Sequence, residues 1–228
     1  MLHAIQWEIK LPLNPPQVPV DGIWDMGGII EIMRKCEIIR KTTETDIVLS
    51  LNLDGTGASA INTGVGFLDH MLELFARHGR FDLDIHCIGD TYVDSHHSVE
   101  DIGVCLGSAF AQALGDARGI SRYSDVTLPM DEALVLCAID ISGRSSLSID
   151  VTLPDRSAGV MEAELLEEFM LAFVRKAGIT LHIRLLQGKN THHIIEACFK
   201  AVARALRAAV KIDSDYSDEI PSTKGIII

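Results

Sequence analysis

Two segments of the 228-residue chain repeat one spacing of metal-binding side chains: His96-His97-x-x-Glu100 and His192-His193-x-x-Glu196. On a helix, residues four apart share a face, so His96 projects with Glu100 and His192 with Glu196, while His97 and His193 point about 100° round the axis. One motif therefore offers ligands in two directions. The segments that precede the motifs add His70 and its repeat partner Glu168, giving eight imidazole or carboxylate donors. Shared between two ions, these give about four protein ligands each and leave an octahedral metal open positions for water and substrate. Structural zinc prefers closed tetrahedral sets, often with cysteine. None of Cys36, Cys87, Cys105, Cys137 and Cys198 is spaced to join such a set. Imidazole mixed with carboxylate suits Mn, Fe, Co or Zn in a catalytic role, and the donor set alone does not choose among them. A lone motif of this kind is ordinarily surface or capping polarity; two copies in register with an independent repeat are what make it a candidate site.

The elements that carry these residues follow from periodicity. From Cys36 the run EIIRKTTETDIVLSLNLDGTG reads as two strands' worth of β-structure closed at Asp54-Gly55. Phe67 to His78 places Phe67, Leu68, Met71, Leu72, Phe75 and Ala76 at helical spacing and stops at Gly79. Phe81 to Ile88 reads as a strand, and Ser95 to Leu114 as a helix with Val99, Ile102, Leu106 and Phe110 on its apolar side. The second half repeats the order: β-rich Val126 to Leu153, helix Glu162 to Lys176, strand Ile179 to Leu186, helix Thr191 to Lys211. FLDHMLELFARHGRFDLDI overlays LLEEFMLAFVRKAGITLHI at a constant offset of 98, so that Phe75 meets Phe173 and Leu83 meets Leu181. After a slip of two residues, DSHHSVEDIG overlays NTHHIIEACF. Such a repeat predicts duplicated supersecondary units packed about a pseudo-twofold axis. The expected organisation is an N-terminal extension of unknown role over 1–33, a first repeat over 34–124 and a second over 125–228.

Composition narrows the partners. With 20 basic and 32 acidic side chains, the net charge of -12 draws neither nucleic acid nor an anionic membrane, and an anionic substrate needs a local basic pocket. The 47% hydrophobic content supports a substantial core. The odd set of cysteines, without C-x-x-C spacing and mostly in apolar runs, reads as reduced, buried thiols of a cytoplasmic protein. No apolar stretch is long enough to cross a bilayer, and Glu8, Asp21 and Asp25 argue against a transit peptide.

Other polar residues carry weaker signals. Asp69, Asp94 and Asp101 flank the ligands and are expected either to accept the distal N–H of ligand histidines or to be solvated or capping groups. His3 and His86 read as surface or satisfied residues, His78 as near a helix end, and His182 as a strand residue without a histidine repeat partner.

With HHSVED and NTHHIIEACFKA in place, the chain resembles the imidazoleglycerol-phosphate dehydratase family. RKTTETDIVLSLNLDGTG, TGVGFLDHML, HGRFDL, GISRYSDVTLPMDEAL, DISGRSSL, TLHIRLLQGKNTHH and PSTKG agree with it, covering roughly Arg34 to Gly225. The resemblance implies an α+β fold in which a helical bundle lies between two four-stranded sheets. It also implies a homo-oligomer, a 24-mer built from trimers, with two Mn2+ per active site at subunit interfaces. The implied reaction in histidine biosynthesis removes water from D-erythro-imidazole-glycerol phosphate to give imidazole-acetol phosphate. The ring would bind as an imidazolate between two metals and take up charge through a diazafulvene-like intermediate.

Carried across by the resemblance, Glu44 of TTET matches the acid/base glutamate, and Glu100 and Glu196 join it in the catalytic set. Arg122, Arg144, Lys200, Ser222, Thr223 and Lys224 match the phosphate grip, and His70, His96 and His192 touch substrate as well as metal. One departure is Glu168, where histidine is expected in relatives; carboxylate can replace imidazole on manganese. Two rival classes predict otherwise. A di-metal hydrolase needs no free imidazole ring, and a non-catalytic metal-binding assembly protein needs neither Glu44 nor the PSTKG tail.

Overall fold

The computed structural model describes residues 34–159 and 161–227, and the backbone of Trp7–Glu8. The rest of the expected extension over 1–33, His3 included, lies outside the described residues.

The strand periodicity is expressed as two sheets. The first contains β1 (Trp7–Glu8), β2 (Lys35–Lys41), β3 (Thr45–Asn52), β4 (Ser59–Asn62) and, after helix α1 (Gly66–Gly79), β5 (Asp82–Gly89); helix α2 (His96–Leu114) follows. The second contains β6 (Tyr123–Met130), β7 (Ala133–Asp140) and β8 (Ser146–Asp150). A short ribbon of β9 (Ser157–Ala158) and β10 (Met161–Glu162) leads to α3 (Leu165–Ala177), then β11 (Thr180–Gln187) completes the second sheet and α4 (Thr191–Ala209) follows. Strand order is β1-β2-β3-β5-β4 in one sheet and β6-β7-β11-β8 in the other. Apart from the two-residue β1, the orders are the same, and in each sheet the last pairing, β4 with β5 and β8 with β11, is the parallel one. The internal duplication read from the 98-residue offset is thus a duplication of topology, as the α+β expectation required.

Alternation explains why the sheets lie flat on the helices. Ile47, Leu49 and Leu51 of β3, and Val135, Cys137 and Ile139 of β7, are buried, while their neighbours face outward. Between the sheets the helices pair across the repeats, α1 with α4 and α2 with α3. The α2–α3 approach depends on two glycines. A Cβ on Gly103 would stand 2.9 Å from the Phe169 carbonyl oxygen, and one on Gly107 would stand 2.4 Å from that of Phe173.

Several boundaries differ from the sequence expectation for physical reasons. Glu44 is not in a strand: β2 ends at Lys41 and β3 starts at Thr45, so TTET forms the hairpin turn, closed by a Thr42 N–H bond to the Thr45 carbonyl at 2.8 Å. Helix α3 begins at Leu165 rather than Glu162, because Met161 and Glu162 are spent on pairing with β9. Phe81 is not a strand residue but a fully buried plug between α1 and β5, ring to ring with Phe75 at 5.6 Å. All five cysteines are free, and only Cys36 is not fully buried.

Candidate active site

Helix α1 ends its first turn at His70, and α4 opens with His192 and carries Glu196 one turn on. Because α1 packs on α4, the histidine of the first repeat meets the motif of the second. Glu196 Oε2 lies 3.2 Å from His192 Nε2 and 3.7 Å from His70 Nε2. One ligand atom from each residue falls within 4.8 Å of the others, and this is the single such three-residue group among the described residues. The two rings are about half exposed, whereas the Glu196 side chain is 9% exposed. Phe67 holds the His192 ring edge-on at 5.1 Å. The second Glu196 oxygen accepts a hydrogen bond from Lys200 Nζ. Burial pushes the Glu196 carboxyl up, but the Lys200 bond and charge, with His192 and His70, outweigh it and hold the group below its ordinary value. Glu196 is therefore an anion with one oxygen presented to two imidazoles, a donor set that fits a divalent transition ion.

The first motif is arranged similarly but more loosely. His96 Nε2 and Glu100 Oε2 are 3.9 Å apart, and both side chains are more than two-fifths exposed. Glu168 is half-buried on α3, the helix whose Phe169 and Phe173 carbonyls face Gly103 and Gly107 of α2, so it shares the ligand-bearing end of that helix pair. The structure does not close His96, Glu100 and Glu168 into a group as tight as the first.

His97 and His193 point away from these groups, as the 100° rotation required. Each is backed by a carboxylate that sequence reasoning missed. His97 Nδ1 sits 2.9 Å from Asp90, and His193 Nδ1 sits 2.7 Å from Glu132. Hydrogen bonding to those carboxylates raises both imidazoles above their ordinary value, against a smaller opposing effect of burial. In return the His193 bond pulls the Glu132 carboxyl down to about 2, helped by the backbone N–H groups of Lys189 and Asn190. Such a bond at Nδ1 fixes the tautomer and leaves Nε2 free for a ligand. The three flanking aspartates are engaged elsewhere. Asp69 accepts from Thr63, Asp94 from the His96 backbone N–H, and Asp101 is paired with Arg40 and Thr45. The available signal was the pair of acidic loops GDTYVD and MDEAL; the choice of partner was not local.

The hairpin turn brings Glu44, half exposed, to 3.8 Å from His97 Nε2. Its carbonyl accepts from the Asp90 N–H at 3.0 Å, which ties the turn to the loop that backs His97.

The expected phosphate residues gather at a separate place. Arg122, Tyr123, Ser142, Arg144, Ser222, Thr223 and Lys224 line a cleft of about 390 Å³ with the C-terminal Ile226 and Ile227. Arg122, at a left-handed φ of 68°, is fixed by Asp140 at 2.8 Å and by the Pro221 carbonyl at 2.7 Å, and its guanidinium covers the Tyr123 ring. Lys200 does not line this cleft; it serves Glu196 and lies 3.5 Å from Met130 Sδ. The cleft shares no residue with the His70, His192 and Glu196 group. A larger cleft of about 700 Å³ beside the start of α3 contains none of the expected site residues. His86 and His182 lie exposed on outward-facing strand positions.

Comparison with known proteins identifies the family. A sequence model described as imidazoleglycerol-phosphate dehydratase matches residues 63–206, which spans both histidine motifs. Proteins named imidazoleglycerol-phosphate dehydratase from Xanthobacter autotrophicus and Methylobacterium radiotolerans are each 55% identical over 195 and 193 residues, covering 86% and 85% of this chain and 99% of each relative. The crystal structure of the Staphylococcus aureus dehydratase superposes with a TM-score of 0.70 at 43% identity, over 74% of this chain and 95% of that one. The Pyrococcus furiosus enzyme, solved in complex with (S)-C348, gives 0.72 at 37% identity, over 82% and 99%. With both motifs inside the matched segment, the chain belongs to the imidazoleglycerol-phosphate dehydratase family and is an enzyme of the hydro-lyase class.

Proposed function

We propose that this chain converts D-erythro-imidazole-glycerol phosphate to imidazole-acetol phosphate in a manganese-dependent dehydration. The observation that carries the proposal is the convergence of His70, His192 and Glu196 from two helices. Helix packing alone has no need of two open imidazole nitrogens facing a buried, ionised carboxylate. His70, His192 and Glu196 would hold one ion, and His96, Glu100 and Glu168 a second, with His97 and His193, which point away from both groups in their own chain, completing the sets of neighbouring subunits. When bound, the metal supplies Lewis acidity toward the imidazole ring, which lets the ring take up charge as bonds break beside it.

The chain's own residues do the rest. A carbon-bound proton and a hydroxyl leave together as water, and no carbonyl acidifies that proton. Glu44 is the group we assign to this proton transfer, because its exposed carboxylate stands at a turn 3.8 Å from His97 Nε2. Arg122, Arg144, Ser222, Thr223 and Lys224 supply the local positive charge that a phosphate needs on a chain of net charge -12. Since the phosphate cleft and the histidine group share no residue, we further propose that the working site forms between subunits of a trimer-based 24-mer. The outer face of the first sheet, with Val48 and Ile88 exposed, supports an association of copies. No helix among the described residues is long and apolar enough to cross a membrane, and we assign the enzyme to the cytoplasm.

The test is a dehydratase assay on imidazole-glycerol phosphate after EDTA treatment and stepwise return of Mn2+, with gel filtration alongside. Activity that vanishes and returns near two ions per chain, with a matching change in elution volume, is expected. Full activity after chelation, or none in any metal state, overturns the proposal.

A further inference from the structure

Beneath Glu44 lies a charged cluster that the proposed chemistry does not use. Asp101, 8% exposed, is ion-paired with Arg40 of β2 and accepts a hydrogen bond of 2.5 Å from the hydroxyl of Thr45, which is 2% exposed. Arg40 Nη1 also reaches the Thr45 hydroxyl at 3.4 Å, and Thr42 Oγ1 lies 3.3 Å from it. Thr42 in turn accepts the backbone N–H groups of Glu44 and Thr45 at 3.1 and 3.0 Å. The cluster therefore holds every residue of the hairpin turn except Thr43.

Its other end is on α2. Asp101 follows Glu100 directly and lies one helical turn beyond His97, the residue whose Nε2 faces Glu44. The turn that carries Glu44 and the turn of helix that carries His97 and Glu100 are thus joined by one buried bond, between Thr45 and Asp101. Burying an ion pair is costly, and apolar residues of similar volume often stabilise a fold as well or better. Stability alone is a poor reason for this cluster, whereas a fixed distance between a proton-transfer group and a metal-ligand turn is a good one.

We propose that Thr45 and Asp101, with Arg40, are positioning residues that set Glu44 against the ligand-bearing turn of α2 and thereby govern the proton-transfer step. The inference rests on the reading of Glu44 as the acid/base group.

Replacing Asp101 would strand the Arg40 charge and risk the fold, so the test uses Thr45. Thr45→Val keeps the shape and removes the hydroxyl; Thr45→Ser keeps the hydroxyl. The manganese-loaded oligomer is assayed for Thr45→Val, Thr45→Ser, Glu44→Gln and the Glu44→Gln/Thr45→Val double variant, with metal content measured on each. Thr45→Val is expected to lower kcat by about 10-fold to 100-fold, the scale of a small misplacement of a reacting group, with KM and metal content little changed. Thr45→Ser is expected to restore the rate, and the double variant to be no slower than Glu44→Gln alone. If Glu44→Gln is slow but Thr45→Val multiplies that loss in full, Thr45 does not act through Glu44 and the inference is overturned while the reading of Glu44 stands. If Glu44→Gln keeps full activity, both fall.

Discussion

Phe75 and Phe173 occupy the same place in the two repeats and meet in the structure, edge to face, with ring centroids 6.4 Å apart. Both are almost fully buried, and Phe173 also packs against Phe110 at 5.8 Å. Residues related by an internal duplication touch only near the axis that relates the two copies, so this contact marks where the pseudo-twofold axis crosses the core. Helices from different repeats cross on either side of it, and each crossing carries one set of donors to one end.

Truncating that contact should loosen the union of the repeats. Phe173→Ala is expected to destabilise the fold by about 3–5 kcal/mol, as aromatic-to-alanine changes in cores do. The Phe75→Ala/Phe173→Ala double variant should cost less than the sum of the singles, read by denaturant unfolding of the metal-free protein.

The role of Glu44 predicts a selective defect. Glu44→Gln should lower kcat by about 10²-fold to 10⁴-fold, the usual contribution of a positioned acid or base. Manganese binding should be unaltered by equilibrium dialysis; a variant with normal turnover would remove the proton-transfer role.

Glu196 presents one oxygen to two imidazoles and gives the other to Lys200. Glu196→Gln should keep the fold yet weaken metal retention by at least about 10-fold, since even residues that only orient metal ligands cost that much when lost. Competition with a chelator measures it, and unchanged retention would place the ion elsewhere.

The cleft around Arg122 and Lys224 predicts a binding defect. Lys224→Ala should raise KM by about 10-fold or more with kcat within a few-fold, because a phosphate contact remote from the reacting carbon is lost equally from substrate and transition state. A variant that lowers kcat and leaves KM alone would contradict the assignment.

The His193–Glu132 pair predicts a pH signature in the metal-free chain. His193 should titrate above its ordinary 6.5 and return toward it in Glu132→Gln, as followed by NMR of the ring. Its folded-state value is raised, so the stability contributed by the charged ring is present below pH 6.5 and is lost as pH rises through that raised value. Glu132 behaves oppositely: its contribution is present above its ordinary 4.5 and is lost as pH falls toward about 2. An unshifted His193 in the native chain would show that the 2.7 Å bond does not persist in solution.

The repeat and the helix faces were legible because each is written in local periodicity. Glu44 was legible only through resemblance, since TTET resembles any strand-edge segment until the hairpin closes and exposes its third residue. Asp90 and Glu132 were not legible at all. Asp90 lies in the loop before α2 and Glu132 in the β6–β7 turn, and they acquire meaning only when a histidine seven residues away in one case, and sixty-one in the other, turns its Nδ1 toward them. Lys200, expected on the phosphate, is one turn from Glu196 on the same helix and is paired with it within the chain.

The sequence by itself determined which side chains share a helix face and that every element occurs twice, because side-chain direction follows from backbone period and needs no partner. Only the tertiary structure decided which donors meet. His70 belongs to the first repeat, yet it completes the motif of the second, since α1 packs on α4 while α2, thinned by Gly103 and Gly107, packs on α3. That crosswise pairing is a property of two apolar faces burying each other over a long sequence separation, and no local spacing encodes it.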